Sequence, residues 1–274
     1  VVREYFENYL RARCPFPYQR RFSLAIVDGF AGAGLYSCGS PGSPLIFLET
    51  LRKFVTEKNV EREGMGMPPL QVDCQLILND LNQEAVRILQ HNVAPIIEDI
   101  RATEPNLMVV DSYHSKPFEE AYSPIAQQLE REGVQNVLFN LDQAGHSLVR
   151  RATIDDIMRR FRKAEIFYTF FIQPLLTFLQ RNNPANLRRQ LSALDLQESV
   201  VSQLDCIAST NEWLGCAEKL VFDEFRSSAP FVSPFSIKKP DGWRYWLIHF
   251  ANEDRARQVY NDVLHGNSTL QAHF

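Results

Sequence analysis

Cysteine is sparse in this chain: Cys14, Cys38, Cys74, Cys206 and Cys216 lie far apart, and no two form a CxxC pair. That spacing indicates neither a zinc site nor a disulfide framework, and reduced thiols are the simpler reading. Long apolar runs are missing too. No stretch of about 18 apolar residues occurs and no signal-peptide pattern opens the chain, so a cytoplasmic protein is expected. An excess of positive charge is also lacking, since 29 Lys plus Arg face 33 Asp plus Glu for a formal charge of -4. A nucleic-acid partner would therefore need a local basic patch. What the chain does have is length and apolar content, 274 residues at 45% hydrophobic. Those suffice for one large core, or a core with a sizeable insertion.

Strand-like and helix-like segments alternate from Leu24 onward, which is the pattern of a parallel sheet covered by helices. The strands are "SLAIVDG", "CQLILND", "NLMVVDS", "VQNVLFNLDQAG" and "AEIFYTFFIQ". A helix opens at "GSPLIFLETL", with Ser43 as the expected N-cap and Pro44 at the first helical position. Another, "NQEAVRILQHNV", carries Ala85, Leu89 and Val93 on one face and is expected to be interrupted at Pro95. The tract Glu57 to Pro69 is read as a surface loop. After residue 175 the rule changes: a polar, Arg-containing segment from Asn183 to Ser209 precedes the helix "NEWLGCAEKLVFDEF". "FVSPFSI" and "WRYWLIHF" flank "KKPDG", whose Pro-Asp-Gly favours a reversal and hence an antiparallel hairpin. A last helix, "EDRARQVYNDVLHG", closes the chain. The expected domain organisation is one unit over 1–274, with an N-terminal helix at about 1–14 and a helical insertion at about 175–226. The expected class is α/β: parallel strands closed by a C-terminal antiparallel hairpin, with helices on both faces, the layout of a Rossmann-like class I methyltransferase sheet.

Where the first strand ends, "DGFAGAG" places an acid and three glycines in seven residues. Glycines permit positive φ and let main-chain N–H groups approach a ligand with no Cβ in the way. The spacing G-x-x-G-x-G differs from the G-x-G-x-x-G of dinucleotide binders, which disfavours a nicotinamide or flavin site. Asp80 closes the second strand, where a carboxylate with several lone pairs suits ribose hydroxyls. Asp111, read as the end of the third strand, suits an adenine amino group, although a loop-capping Asp fits as well. Asp142 emerges from the fourth strand in "FNLDQAGHS" and is the candidate to position or deprotonate a methyl acceptor. His146 is the candidate base near neutral pH, with a helix-capping role as the alternative. Arg150, Arg151, Arg159, Arg160, Arg162 and Lys163 crowd the following helix among Asp155 and Asp156. They make either a phosphate-binding face or a solvated helix with internal ion pairs. Tyr245 and His249 in "WRYWLIHF" are accounted for by packing in a core strand.

The glycine stretch resembles the D-x-F-A-G-x-G loop of S-adenosylmethionine-dependent methyltransferases, including those acting on DNA. The resemblance implies that Asp28, Gly29, Phe30, Ala31, Gly32 and Gly34 hold the cofactor's amino-acid part, with Phe30 near the adenine. One departure is that "LYSCGSPGS" separates Gly34 from the helix, so the helix N-terminus is not expected directly under the loop. Amino-methyltransferases carry [DN]-P-P-[YF] after the fourth strand, where an aromatic ring stacks on a flipped base. Here Gln143 replaces proline and Ala144 takes the aromatic place, so that platform is lacking. Taken in order, "VREYFENYL", "VDGFAGAG" with "GSPLIFLETL", "FNLDQAG" and "WLIHFANEDRARQVYNDVL" resemble the bacterial three-Cys-motif partner proteins (TcmP). This likeness implies a methyltransferase-like fold and a neighbouring partner that resembles radical S-adenosylmethionine proteins. Three expectations stay open: a methyltransferase with nucleic acid as a candidate substrate, a non-catalytic partner that keeps the fold, and a nuclease holding Mg²⁺ with Asp28, Asp111 and Asp142.

Overall fold

The structure, a computed structural model, describes residues 2–143, 147–172, 210–238 and 244–266. Among these, the elements run α1 (Val2–Arg13), β1 (Arg21–Asp28), α2 (Ser43–Gly64), β2 (Gln71–Asn79), α3 (Gln83–Thr103), β3 (Leu107–His114), α4 (Phe118–Arg131) and β4 (Asn136–Leu141). Then follow α5 (Arg151–Arg160), β5 (Lys163–Phe170), α6 (Thr210–Arg226), β6 (Phe231–Lys238), β7 (Arg244–Ala251) and α7 (Asp254–Gly266). The strand order is β3-β2-β1-β4-β5-β7-β6. A parallel sheet whose order reverses between β1 and β4, ending in the antiparallel β6–β7 pair, is the class I methyltransferase arrangement expected from the sequence. No described helix is long and apolar enough to cross a membrane.

The chain divides into two compact units. One is Val1–Asn140 with Gln258–Asn267, and the other is Leu141–Arg257 with Ser268–Phe274. In the first, β1 runs parallel to both β2 and β4, with Val27 beside Ile77 and Phe139. Registered neighbours in a sheet share a face. Tyr122 of α4 packs 6.4 Å from Phe139, so α4 covers the face of Val27 and Ile77. The opposite parity, Ile26, Leu76 and Asp111, faces α3, whose Arg101 reaches Asp111. Helices thus cover both faces of this unit. α1 joins α2 through an edge-on contact of Phe6 with Phe47, and Tyr5 meets Tyr260 of α7 at 6.0 Å. In the second unit, β5 pairs antiparallel with β7, and Tyr168, Phe170, Phe225 and Phe250 form an aromatic cluster between sheet and helix.

Two sequence expectations about helix extent fail in the first unit. The helix expected to break at Pro95 runs on to Thr103, because Val93, Ile97 and Ile100 continue the buried stripe on both sides of the proline. Packing of that stripe offsets the one hydrogen bond that Pro95 cannot donate. Its start is well capped, with the Asn82 carboxamide oxygen accepting from the N–H of Glu84 and Ala85. The tract from Glu57 is likewise helical as far as Gly64. Strong helix formers fill it, Lys58 pairs with Glu61, and the buried Arg62 guanidinium donates to the carbonyls of Pro68 and Gln19. Only the remainder, up to Pro69, is loop. The α6 helix agrees with the sequence reading in extent, while the side chains of Trp213 and Ala217 and the segment 173–209 lie outside the described residues. The hairpin is present as expected, though 239–243 of its turn lie outside them as well.

Candidate functional site

The bend after β1 is held by its own neighbours on every side. Gly29 N–H donates to the Asn140 carbonyl at 2.9 Å and Ala31 N–H to the Asn79 carbonyl at 2.9 Å. From below, Asn79, 1% exposed, donates its Nδ2 to the carbonyls of Gly29 at 3.0 Å and Lys116 at 3.1 Å. Its Oδ1 is buried with no hydrogen-bond partner. Asp28 is fully buried. One of its oxygens accepts from Phe30 N–H at 3.3 Å, the other from the Ser43 hydroxyl at 2.6 Å.

The eight residues between Gly34 and the helix do not carry the helix away from the loop. Leu35 and Pro41 bridge antiparallel, Tyr36 N–H donates to the Ser40 carbonyl, and Gly42 N–H donates to the Gly34 carbonyl at 2.7 Å. The excursion folds back on itself and returns the chain to where it left. The α2 N-terminus therefore lies against the loop, contrary to the sequence expectation. Its N-cap is Gly42 rather than Ser43, which is free to serve Asp28 instead. A Cβ on Gly42 would sit 2.9 Å from the Gly34 oxygen, so the return point admits glycine alone.

Two of the loop glycines have distinct physical reasons. Gly32 has φ +59° and open space where a Cβ would stand. Gly34 has φ +78°, and a Cβ there would come 2.8 Å from Leu89 of α3. The second is a packing glycine between loop and helix. Gly34→Ala is expected to cost about 2–3 kcal/mol, from the left-handed backbone and from displacement of a fully buried Leu89. Gly39, with φ +80° and nothing nearby, is the control, at about 1 kcal/mol for the same change. Urea unfolding of both variants checks this, and equal losses would show that the Leu89 contact is worth nothing.

Asp80 follows β2 and binds the loop from the side. Its Oδ2 accepts from Gly32 N–H at 2.9 Å and its Oδ1 from Asn82 N–H at 2.8 Å. A carboxylate offers about four lone-pair positions, so each oxygen retains acceptor capacity. Beside it, Leu81 is 68% exposed, an apolar side chain at the rim of the strand ends.

The structure does not bring Asp111 to the end of its strand. β3 continues to His114, and Asp111 is level with Leu76, two residues behind the row of Leu78 and Asp28. It faces α3, with Arg101 at 3.7 Å, and accepts from the Tyr113 hydroxyl, whose pKa is raised by burial and by that carboxylate. The strand runs longer than the sequence suggested because "SYH" alternates and pairs with β2 despite its polarity.

In the second unit, Asp142 is exposed just after β4. Gln143 is fully buried, and its Oε1 accepts from Leu148 and Val149 N–H at 2.9 and 3.2 Å. It thus organises the loop that follows, a role the sequence did not indicate. Ala144 and His146 lie outside the described residues. On α5, Arg159 and Arg160 both bind Asp156, and Arg151 binds Glu224 at 3.0 Å, so these three cations have local partners. Arg181, Arg188 and Arg189 lie outside the described residues. Among the described residues no group of three His, Cys, Asp or Glu side chains is arranged to hold a metal ion. His249 is a buried strand residue, with its Nε2 3.2 Å from Glu165 Oε2. A cavity of about 280 Å³ in this unit is lined by Gly215, Glu218, Lys219, Phe222, Pro234 and Trp246, none of them a residue expected to carry chemistry.

The thiols differ sharply. Burial pushes Cys14 and Cys74 up to about 12, so both stay protonated in neutral solution. Cys38, exposed on the excursion, is held below the ordinary thiol value by the Ser40 hydroxyl 3.3 Å away. Iodoacetamide at pH 8 is expected to label Cys38 while Cys14 and Cys74 react only on unfolding. Mass spectrometry of the native protein checks the order, and early labelling of Cys74 would contradict its burial.

No family profile and no curated protein matches this chain. Solved structures match the chain at low identity. An O-methyltransferase from Bacillus cereus in complex with SAH is 10% identical, covering 90% of this chain and 80% of that one, with a TM-score of 0.38. The O-methyltransferase TomG from Streptomyces achromogenes, involved in tomaymycin synthesis and in complex with SAM, is 10% identical over 91% and 79%, with a TM-score of 0.39. A SAM-dependent methyltransferase from Aquifex aeolicus is 11% identical over 83% and 82%, with a TM-score of 0.32. At these scores the fold rests on the strand order, and the neighbours' activities remain theirs.

Proposed function

We propose that this chain binds S-adenosylmethionine at the bend after β1 and acts as a methyltransferase, in the cytoplasm. The observation that carries this reading is the Asp28 to Gly34 bend itself: it lies at the carboxyl end of β1, where the strand order reverses, and is bound by a carboxylate from the next strand. The residues present fit the cofactor. Gly32 leaves open space where a side chain would stand, Asp80 retains acceptor capacity for ribose hydroxyls, and exposed Leu81 offers an apolar surface for a heterocycle. The orphaned Asn79 Oδ1 is an acceptor awaiting a donor. The bound cofactor would supply an already activated methyl group. Asp142 is assigned to the acceptor, as the carboxylate that would orient it and take up the proton it releases.

Titration calorimetry with S-adenosylmethionine and its demethylated product tests the proposal. Micromolar binding of both is expected, with Asp80→Ala weakening each about tenfold or more. An absence of heat at high micromolar ligand overturns it. A second reading has one observation in its favour: Asp28 and Asp80 already have internal partners, so the loop is complete without a ligand. On that reading the chain is a non-catalytic partner of a three-Cys-motif protein resembling radical S-adenosylmethionine enzymes. Asp142→Ala separates the two, because an enzyme loses turnover at unchanged cofactor affinity while a scaffold loses nothing in its complex. A nucleic-acid acceptor would require Arg150, Arg151, Arg159 and Arg160 to exchange their present partners for phosphates, and binding would then fall steeply with salt.

A further inference from the structure

The loop between α1 and β1 lies within the first unit, at the opposite end of β1 from the bend. Residues 11–21 read RARCPFPYQRR, four arginines with no acid, in a chain whose formal charge is -4. Two aromatic rings stand in the middle of that run. Phe16 and Tyr18 are stacked on each other, centroids 5.1 Å apart and planes 16° from parallel, yet they are 52% and 75% exposed. No other large apolar residue among those described is as exposed as Tyr18. Core packing does not account for a stacked pair held in water. The surrounding structure holds the rings there. Pro15 and Pro17 fix φ on either side of Phe16, Gln19 N–H donates to the Phe16 carbonyl at 3.2 Å, and Gln19 Nε2 donates to the Arg21 carbonyl at 3.4 Å. From α2, the Arg62 guanidinium donates to the Gln19 carbonyl at 2.9 Å. Arg62 is 2% exposed, and its Nη2 is buried with no hydrogen-bond partner. A buried charge is screened little, so Arg62 adds to the positive field of the loop's own arginines. Arg20 is exposed and pairs with no carboxylate among the described residues, while Arg13 lies 5.4 Å from the centre of the Tyr9 ring. Arg11 and Arg21 pair with Glu57 and Asp73, but both guanidinium groups are largely exposed, and pairs of that kind are worth little enough for a phosphate to replace the carboxylate.

We propose that the loop at 11–21 is a docking surface for single-stranded nucleic acid, with bases stacking on Phe16 and Tyr18 and the arginines meeting the backbone phosphates. The partner class follows from the groups. An acid-free run of arginines on a chain of negative net charge is complementary to a polyanion. The rings then select among polyanions. An acidic peptide offers charge without a flat ring beside each anion, and a duplex keeps its base faces inside its own stack. A single strand presents a free ring and an anion in every residue. Stacking tolerates any base and does not read the sugar, so DNA and RNA strands fit alike. Because the loop and the bend lie at opposite ends of β1, this surface anchors a strand and is not the acceptor site. It stands whether or not the chain transfers methyl groups.

Fluorescence anisotropy on the full chain tests this with labelled oligothymidylate, oligouridylate, an abasic strand of the same length, a duplex and polyglutamate. At about 50 mM salt both base-bearing single strands are expected to bind with a micromolar Kd, about tenfold or more tighter than the other three probes. Phe16→Ser and Tyr18→Ser should each weaken the single strands about tenfold and leave the abasic strand unchanged. Arg20→Gln should weaken base-bearing and abasic strands alike and reduce the slope of log K against log salt by about 0.7. All three positions are exposed, so the variants should keep the native urea midpoint. Equal binding of abasic and base-bearing strands, tighter binding of polyglutamate, no binding at about 100 µM protein, or serine variants that behave like the native chain each overturn the surface. Strand binding that survives in the serine variants but is lost in Arg159→Gln would belong to α5 and overturns it too. Calorimetry with S-adenosylmethionine on Tyr18→Ser keeps the two proposals apart. Unchanged cofactor heat with lost strand binding is expected, and strand selectivity in a chain that gives no cofactor heat sinks the methyltransferase reading alone.

Discussion

Asn79→Leu is expected to destabilise the fold by about 2–5 kcal/mol, since it leaves two carbonyls, those of Gly29 and Lys116, without their donor. Leucine has nearly the same shape, so little of the loss would come from a void. The second consequence is functional. Asn79 is the only described side chain donating to the Gly29 carbonyl, and through Gly29 it sets the height of the bend above the strand ends. S-adenosylmethionine heat should therefore be lost from the folded fraction. Chemical denaturation and calorimetry on the same preparation check both effects. A variant as stable as the native protein would show that the loop is held by Asp28 and Asp80 alone. Loss of stability with full cofactor affinity would reduce Asn79 to a structural residue.

The other large effect is expected in the second unit. His249 and Glu165 are each 1% exposed and lie 3.2 Å apart between β5 and β7. Removing the histidine takes one hydrogen-bond partner from a carboxyl buried in low dielectric, at a cost of about 1–3 kcal/mol. His249→Leu should therefore unfold the unit at much lower denaturant. The double variant His249→Leu with Glu165→Leu should recover most of the loss, because neither polar group then has to be buried. A double-mutant cycle from urea unfolding measures the coupling. A single-variant cost below about 1 kcal/mol would mean that other groups satisfy Glu165 without the histidine.

Much of the architecture was legible in the chain. Alternation of apolar runs with helical stripes indicated the strands, and "KKPDG" marked the final reversal, because both signals are local. The errors came where local rules compete with packing. Pro95 and the charged tract from Glu57 carry breaker or loop signals, yet buried side chains to either side keep both helical. Ser43 is a good N-cap by composition, but its hydroxyl is taken by a buried carboxylate 15 residues earlier, a partner no local rule could supply. Asp111 looked like a strand end because a polar stretch follows it. Pairing with β2 carried the strand three residues further and turned the carboxylate toward Arg101.

By itself, the order of residues determined the sheet class, the bend of acid and glycines after the first strand, and the acids that follow the second and fourth. These depend on period, turn chemistry and short spacings that any stretch of chain carries within itself. Only the folded protein decided what each group does there. Asn79 became the support of the bend, Gly42 the point where the excursion closes, and Tyr245 the partner of Phe171, because those relations join residues far apart in the chain. A side chain's role is set by what surrounds it in space, and spacing along the chain specifies surroundings only over the few residues of a turn, a strand or a helix.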